Sequence, residues 1–91
     1  MGPIFECDPG KRALLVRVRR LDLLDMSEVF EDSRRLDFPD LRFNYGEERR
    51  VTIGLALGRI FTVIYTRREP ITWLITAWPS SRKERERYDR R

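Results

Sequence analysis

The spacing of apolar residues changes after Glu47, and this change limits the fold more than any other feature of the sequence. From Glu47 to Leu57 apolar side chains alternate with polar or small ones, as in a strand that buries one face. Turn-forming residues at 57–59 and 67–70 then delimit two further apolar segments. The pattern predicts an antiparallel meander of three hairpin-linked strands, at residues 47–57, 60–66 and 71–78.

The first third of the chain carries helical patterns instead. Asp8-Pro9 is typical of a helix N-cap followed by proline in the first turn, and it predicts a helix over about residues 10–20. A second helix is predicted over about residues 22–32, where apolar residues recur at steps of three and four. The expected apolar faces are Ala13, Leu14 and Val18 with Leu15 beside them, and then Leu23, Met26, Val29 and Phe30.

Shorter signals complete the predicted fold. They are a short edge strand at 4–7, a short extended piece at 36–38 and a polar loop at 40–46. Ser81 followed by Glu84 is the pattern of a capping box and predicts a helix that continues to about Tyr88. The sequence therefore predicts a single domain over residues 1–91. Its fold class is α+β, with two N-terminal helices packed on an antiparallel β-meander and a short C-terminal helix.

The last two predicted strands are apolar on both faces, but the C-terminal helix has no broad apolar face to cover them. The segment from Arg82 to Arg87 is charged throughout, and Tyr88 is the only large apolar side chain of that helix. Part of the second sheet face, including Trp73 or Trp78, is therefore predicted to bind a partner protein. The alternative is that the tail folds back and covers this face with its arginine and lysine stems.

The charge and composition of the chain favour one class of partner, nucleic acid, and exclude several classes of enzyme. The net charge of +4 comes from 17 arginines and two lysines against 15 acids, and guanidinium groups suit polyanions such as nucleic acid. Genome composition alone is the alternative explanation of the arginine bias. The chain has no histidine and one cysteine, Cys7, so we expect no zinc site, no internal disulfide and no histidine-based nucleophile triad. There is no glycine-rich phosphate loop, so no cofactor is expected. There is also no secretory signal and no apolar run of 18 residues, so we expect no membrane contact and a cytoplasmic location.

The chemistry that remains is RNA cleavage assisted by arginine. RNA supplies its own nucleophile, the 2′-hydroxyl, and arginine can stabilise the negative charge that develops at phosphorus. Antiparallel pairing is expected to bring Arg49, at the start of the first strand, close to Arg67 and Arg68 at the end of the second, with Tyr65 nearby. Each arginine can equally be an exposed charge that pairs with a neighbouring glutamate.

Five phrases of the sequence, in this order, resemble the BrnT family of toxins. They are Phe5-Glu6-Cys7-Asp8-Pro9 with Lys11, Ser27-Glu28-Val29-Phe30-Glu31-Asp32, Tyr45-Gly46-Glu47-Glu48-Arg49, Val63-Ile64-Tyr65-Thr66 with Arg68, and Ser81-Arg82-Lys83-Glu84-Arg85. The resemblance implies a RelE-like α+β fold and a metal-independent endoribonuclease that arrests translation. It also implies neutralisation by a ribbon-helix-helix antitoxin, BrnA, whose complex with the toxin represses their operon, so that operator DNA is contacted only through the antitoxin.

The resemblance and the arginine cluster together suggest roles for individual residues. Arg49 and Arg68 are expected to bind the scissile phosphate, and Tyr65 to orient the substrate or transfer a proton. RNA steering is assigned to Arg67, Arg82, Lys83, Arg85 and Arg87, and partner binding to Trp73, Leu74 and Trp78.

Several positions depart from the family pattern. Trp73 stands where the family usually has arginine, and Trp78-Pro79 replaces a basic pair before the final helix; Cys7, Leu15 and Arg19-Arg20 also differ from the usual residues. Two alternatives therefore stay open. One is a toxin-like protein with weakened or lost catalysis that acts only by binding antitoxin or RNA, and the other is a basic RNA-binding module outside toxin biology.

Overall fold

The computed structural model describes residues 2–90, and over these residues the chain forms five strands and three helices. In chain order the elements are β1 (Ile4–Cys7), α1 (Pro9–Arg19), the 3₁₀ helix η1 (Leu23–Glu31), β2 (Leu36–Pro39), β3 (Arg50–Ala56), β4 (Arg59–Arg68), β5 (Ile71–Pro79) and α2 (Arg82–Asp89). None of the helices in this range is long and apolar enough to cross a membrane.

The strands form a single sheet in the order β1-β5-β4-β3-β2. The predicted meander is confirmed as β3, β4 and β5, which pair antiparallel in sequence, and the predicted edge strand at residues 4–7 is confirmed as β1. The predicted strand count was wrong, because β2 adds an antiparallel edge and β1 pairs parallel with β5 on the other edge. The sequence indicated β2 only as an extended piece at 36–38, because four residues show too few alternations to predict a paired strand.

The 3₁₀ helix η1 and helix α1 cover one face of the sheet, which we call the helical face. Leu23, Met26 and Val29 of η1 are fully buried there. Their spacing of three residues equals the three residues per turn of a 3₁₀ helix, so all three point inward. The second predicted helix is therefore found at the expected place, but as a 3₁₀ helix.

Helix α1 has a different inner face from the one predicted. Only Leu15 is buried, at 1% exposure, whereas Ala13, Leu14 and Val18 remain on the surface. The predicted face was wrong because α1 lies at the margin of the helical layer, in contact with β5 and η1, where only one side of the helix has a partner. The buried side of a helix in that position depends on tertiary placement rather than on its own apolar pattern.

Helix α2 lies on the opposite face of the sheet, which we call the second face, as the alternative of a tail that folds back predicts. The predicted capping box is confirmed, since the Glu84 N–H donates to Ser81 Oγ (3.2 Å) and the Ser81 N–H donates to Glu84 Oε1 (2.7 Å). Tyr88 packs against the apolar cluster of the second face, and its hydroxyl donates to Asp32 Oδ2 (2.6 Å). The tail thus folds back and covers part of this face.

Candidate active site

Glu47, Arg49 and Arg68 form one cluster, which we call the arginine cluster. Glu47 Oε2 lies 3.4 Å from Arg49 Nε, and Glu47 Oε1 lies 3.3 Å from Arg68 Nη2, so one carboxylate bridges the two guanidinium groups. The strand register causes this meeting. Because Arg50 pairs with Tyr65, the residues just before β3 run beside the end of β4.

Each guanidinium group of the cluster lies on an aromatic ring. Arg49 is 4.0 Å from the centre of the Tyr45 ring, and Arg68 is 4.8 Å from the centre of the Trp73 ring. The Arg49 side chain is 26% exposed and that of Arg68 is 51% exposed. Solvent therefore reaches both groups. A guanidinium held on a ring in this way keeps its in-plane N–H donors for a second ligand such as phosphate.

The loop between β2 and β3 is built around the buried carboxylate of Asp40. This carboxylate accepts hydrogen bonds from Arg42 Nε (2.8 Å), Arg42 Nη2 (2.9 Å) and the Tyr45 hydroxyl (3.1 Å). The bonds from Arg42, followed by that from Tyr45, outweigh the effect of burial and lower the pKa of Asp40 from 3.8 to about 2. The Asp40 backbone N–H also donates to the Arg49 carbonyl (2.8 Å). The loop is therefore fixed, and it holds Tyr45 against Arg49.

Tyr65 lies on the helical face, away from the arginine cluster. It precedes Arg68 by three residues on β4, and successive side chains of a strand alternate between faces. Its hydroxyl donates to Asp37 in a short hydrogen bond, and Asp37 also accepts from Arg35 and Arg50 at 2.5 Å each. Burial, reinforced by the bond to Asp37, raises the pKa of Tyr65. Burial opposes ionisation of Asp37, but the bonds from Tyr65, Arg50 and Arg35 outweigh it and lower the pKa of that carboxyl. Tyr65 is thus held in a separate polar network.

Three of the predicted RNA-binding arginines already have partners within the fold. Arg67 pairs with Glu69 (3.1 Å), Arg82 pairs with Glu86 (3.2 Å), and Arg85 donates to the Ser80 carbonyl (2.8 Å). Arg67 ends β4, whereas Arg82 and Arg85 lie on α2. Exposed ion pairs of this kind are worth about 1 kcal/mol or less, so Arg67 and Arg82 can exchange their glutamates for a phosphate at little cost.

The other two predicted RNA-binding residues, Lys83 and Arg87, line a groove on the second face of the sheet. The groove has a volume of about 520 Å³, and most of its lining is apolar. Its floor and walls include Phe38, Val51, Ile53, Ile64 and Trp78, and its mouth includes Leu41 and Arg42.

The three residues predicted to bind a partner lie in different environments. Leu74 is 1% exposed within the core of the helical face, so it contributes to no surface. Trp73 is half-buried beside Arg68, and Trp78 is half-buried in the groove wall, where its indole N–H donates to Glu84 Oε1 (3.1 Å). A partner can therefore reach the two tryptophans but not Leu74.

The roles of three carboxylates are not evident from the sequence. Glu47 pairs with Arg49 and Arg68, as the alternative of neighbouring ion pairs predicts, but the sequence does not indicate that one carboxylate bridges both arginines. Asp37 and Asp40 each organise a polar network, and nothing in their spacing distinguishes them from exposed loop or strand acids. Within residues 2–90, no group of three or more histidine, cysteine, aspartate or glutamate side chains converges as a metal site requires.

Comparison with protein families gives a match over most of the chain. The family described as "Ribonuclease toxin, BrnT, of type II toxin-antitoxin system" matches residues 7–84. This range includes Glu47, Arg49 and Arg68, and it ends before Arg85 and Arg87. A search of curated proteins finds no match.

Proposed function

This chain belongs to the BrnT family of ribonuclease toxins of type II toxin–antitoxin systems, and we propose that it cleaves RNA without a metal ion at the arginine cluster. One observation carries the proposal: a single carboxylate, Glu47, lies between two solvent-accessible guanidinium groups, those of Arg49 and Arg68. A carboxylate that can accept a proton and two cations that can hold a phosphate are the groups that RNA cleavage by its own 2′-hydroxyl needs.

In the proposed reaction the RNA supplies the nucleophile. The 2′-oxygen forms a bond to the adjacent phosphorus while Glu47 accepts the proton of the 2′-hydroxyl, and the bond from phosphorus to the 5′-oxygen breaks. The leaving 5′-oxygen takes a proton from water or from protonated Glu47, and the other product carries a 2′,3′-cyclic phosphate. Arg49 and Arg68 bind the non-bridging oxygens and stabilise the charge that develops on them.

The present contacts of Glu47 are compatible with this role. Its ion pairs with Arg49 and Arg68 are long, at 3.4 and 3.3 Å, and each uses a single nitrogen of the arginine. A phosphate can bind guanidinium in the stronger two-point geometry. We propose that the scissile phosphate takes over these arginine contacts and leaves Glu47 beside the 2′-hydroxyl. Tyr65, which the sequence suggested for proton transfer, has no part in this scheme because its hydroxyl is bonded to Asp37 on the helical face.

The remaining basic residues are proposed to steer the RNA toward the cluster. Arg82, Lys83, Arg85 and Arg87 place four positive charges on α2, and Arg67 adds one near the end of β4. Such contacts predict affinity that falls steeply as salt rises. Steering groups act through their charge and take no part in the bond changes. Single substitutions among them should therefore weaken RNA binding more than they lower the cleavage rate of bound RNA.

A type II toxin requires an antitoxin, and we propose a ribbon-helix-helix protein similar to BrnA. Trp73 and Trp78 are the reachable residues among those predicted to bind a partner, and Trp73 lies against Arg68 of the cluster. A partner that covers Trp73 would therefore also block the phosphate site. We further propose that the fold is RelE-like, that the protein acts in the cytoplasm, and that the complex contacts operator DNA through the antitoxin alone.

A second candidate function is a toxin-like protein that binds antitoxin or RNA without cleaving. The observation that favours it is that Glu47 already pairs with both guanidinium groups and offsets one of the two positive charges that would bind a phosphate. The two functions make opposite predictions for cleavage and the same prediction for antitoxin binding.

The test is RNA cleavage by the purified, antitoxin-free chain in EDTA, compared with an Arg49→Ala/Arg68→Ala double variant. Each charge-assisted phosphate contact is worth roughly 1.5–3 kcal/mol, so the double variant should lose at least about 100-fold in rate. The matched control is Arg17→Ala/Arg59→Ala, which removes the same charge from α1 and from the start of β4 and should cleave like the parent. Circular dichroism verifies the folding of each variant. A folded Arg49→Ala/Arg68→Ala variant that cleaves at the parental rate contradicts the site, and a parent that binds antitoxin but does not cleave supports the second candidate.

A further inference from the structure

The groove on the second face of the sheet is a preformed cavity next to the proposed active site. Its volume of about 520 Å³ lies within the range of roughly 300–1,000 Å³ that is usual for small-molecule sites. Val51, Ile53 and Ile64 are buried side chains of its floor, and Phe38 and Trp78 add aromatic rings. The half-buried rings of Phe38 and Trp78 thus offer aromatic surface to a flat ring, above a floor of buried aliphatic side chains.

The groove begins close to the arginine cluster along the chain, although its lining includes none of Glu47, Arg49 and Arg68. Val51, on the floor of the groove, follows Arg49 by two residues, and two residues of extended chain span about 7 Å. The loop fixed by Asp40 joins the two places, because its Tyr45 lies against Arg49 while its Arg42 lines the groove. A nucleotide next to one whose phosphate binds Arg49 can therefore reach toward the groove.

The charges at the mouth of the groove favour an anionic ligand. Arg42, Lys83 and Arg87 are the cations, and Asp40 and Glu84 are the carboxylates. Both carboxylates are already occupied by donors from within the protein: Asp40 by Arg42 and Tyr45, and Glu84 by the Ser81 N–H and the Trp78 indole. Because Arg42 offsets the charge of Asp40, Lys83 and Arg87 stand against Glu84 alone, and the mouth carries one net positive charge.

Two further contacts fix the aromatic walls. The Trp78 indole N–H donates to Glu84, and this bond fixes the plane of the Trp78 ring. The Arg87 guanidinium lies 4.3 Å from the centre of the Phe38 ring. Aromatic rings and guanidinium planes are the surfaces on which proteins stack the bases of single-stranded RNA. A protein segment would fill the apolar floor equally well, but it would not use the positive mouth and the adjacent phosphate site together.

We propose that this groove binds a nucleobase of single-stranded RNA, namely a base of the nucleotides that flank the phosphate held by Arg49 and Arg68. The inference rests on the proposed ribonuclease function and adds a base-binding site to it. Stacking of one base contributes roughly 5- to 150-fold in affinity when it is measured by removal of the stacking partner. The cleavage site would then be selected in part by the base that the groove accepts.

The test uses a ligand that cannot be cleaved. A 2′-O-methyl RNA hexamer lacks the nucleophile, and an abasic hexamer with the same phosphates lacks the bases. Trp78 is the reporter, in a Trp73→Phe background where it is the sole tryptophan. We expect the base-containing hexamer to bind about tenfold or more tightly than the abasic one and to quench Trp78 fluorescence, while the abasic hexamer leaves it unchanged.

Each outcome separates the base site from the cleavage site. Equal affinity for both hexamers, or tight binding without a change in Trp78 fluorescence, overturns the base site and leaves cleavage at Glu47 intact. Quenching by the base-containing hexamer in a chain that does not cleave RNA supports the base site and contradicts the cleavage proposal. Quenching of Trp78 by purified antitoxin but not by the hexamer assigns the groove to the protein partner and overturns the inference.

Discussion

Replacement of Asp40 by asparagine removes one buried negative charge while it preserves the shape of the side chain. The carboxylate accepts hydrogen bonds from Arg42 and Tyr45, and these bonds lower its pKa from 3.8 to about 2. One pKa unit corresponds to about 1.4 kcal/mol, so the ionised carboxylate contributes roughly 2 kcal/mol to folding at pH 7. We predict that Asp40→Asn lowers the free energy of unfolding by about this amount.

The same reasoning predicts the pH dependence. Because the pKa of Asp40 is lower in the folded chain, its contribution is fully present well above pH 4 and is lost as the pH falls toward 2. At pH 3 about half of it should remain, so the difference in stability between the parent and Asp40→Asn should shrink to roughly 1 kcal/mol.

Urea denaturation followed by tryptophan fluorescence, at pH 7 and pH 3, measures both quantities. The matched control is Asp25→Asn on the exposed side of η1, which should change stability by less than about 0.5 kcal/mol. The reasoning is refuted if Asp40→Asn is as stable as the parent at pH 7, or if the difference between them is the same at both pH values.

Three further predictions concern packing, capping and catalysis. Gly54→Ala should destabilise the fold by about 1–3 kcal/mol, because the new Cβ would lie 2.9 Å from the Arg35 Cβ and 3.0 Å from a Val29 methyl. The control is Gly2→Ala, whose Cβ would have no neighbour within 4 Å, and equal melting temperatures of the two variants would contradict the prediction. Ser81→Ala should lower the free energy of unfolding by about 1 kcal/mol and speed amide hydrogen exchange in α2 more than in β4. Unchanged exchange in α2 would show that the cap is dispensable. Glu47→Gln should lower the cleavage rate by about 100-fold or more while RNA binding is kept or tightened, since both arginines are released; cleavage at the parental rate would remove Glu47 as the base.

The parts of the fold that the sequence predicts are those with local causes. The meander follows from alternating side chains and turn residues within about thirty positions, and the capping box follows from two residues three apart. The pairing of β1 with β5 joins residues more than sixty positions apart and leaves no local pattern. The inner side of α1 likewise depends on which neighbours the helix meets, so its exposed Leu14 and Val18 looked like core residues.

The candidate site was partly accessible from sequence. Antiparallel pairing alone suggested that Arg49 and Arg68 lie at one end of the sheet, where the structure places them around Glu47. The separation of Tyr65 from Arg68 follows from strand alternation, because an odd offset places two side chains on opposite faces. The bridging position of Glu47 depends on side-chain geometry between distant residues, and no spacing in the sequence encodes it.

The most direct measurement for the central claim is the chemistry of the RNA ends that the purified chain produces in EDTA. Attack by the RNA's own 2′-hydroxyl predicts a 2′,3′-cyclic phosphate on one product and a free 5′-hydroxyl on the other, and a single 2′-deoxy substitution at the cleaved nucleotide should abolish the cut. Products with a 3′-hydroxyl and a 5′-phosphate, or cleavage that persists after the 2′-deoxy substitution, would contradict the role assigned to Glu47, Arg49 and Arg68.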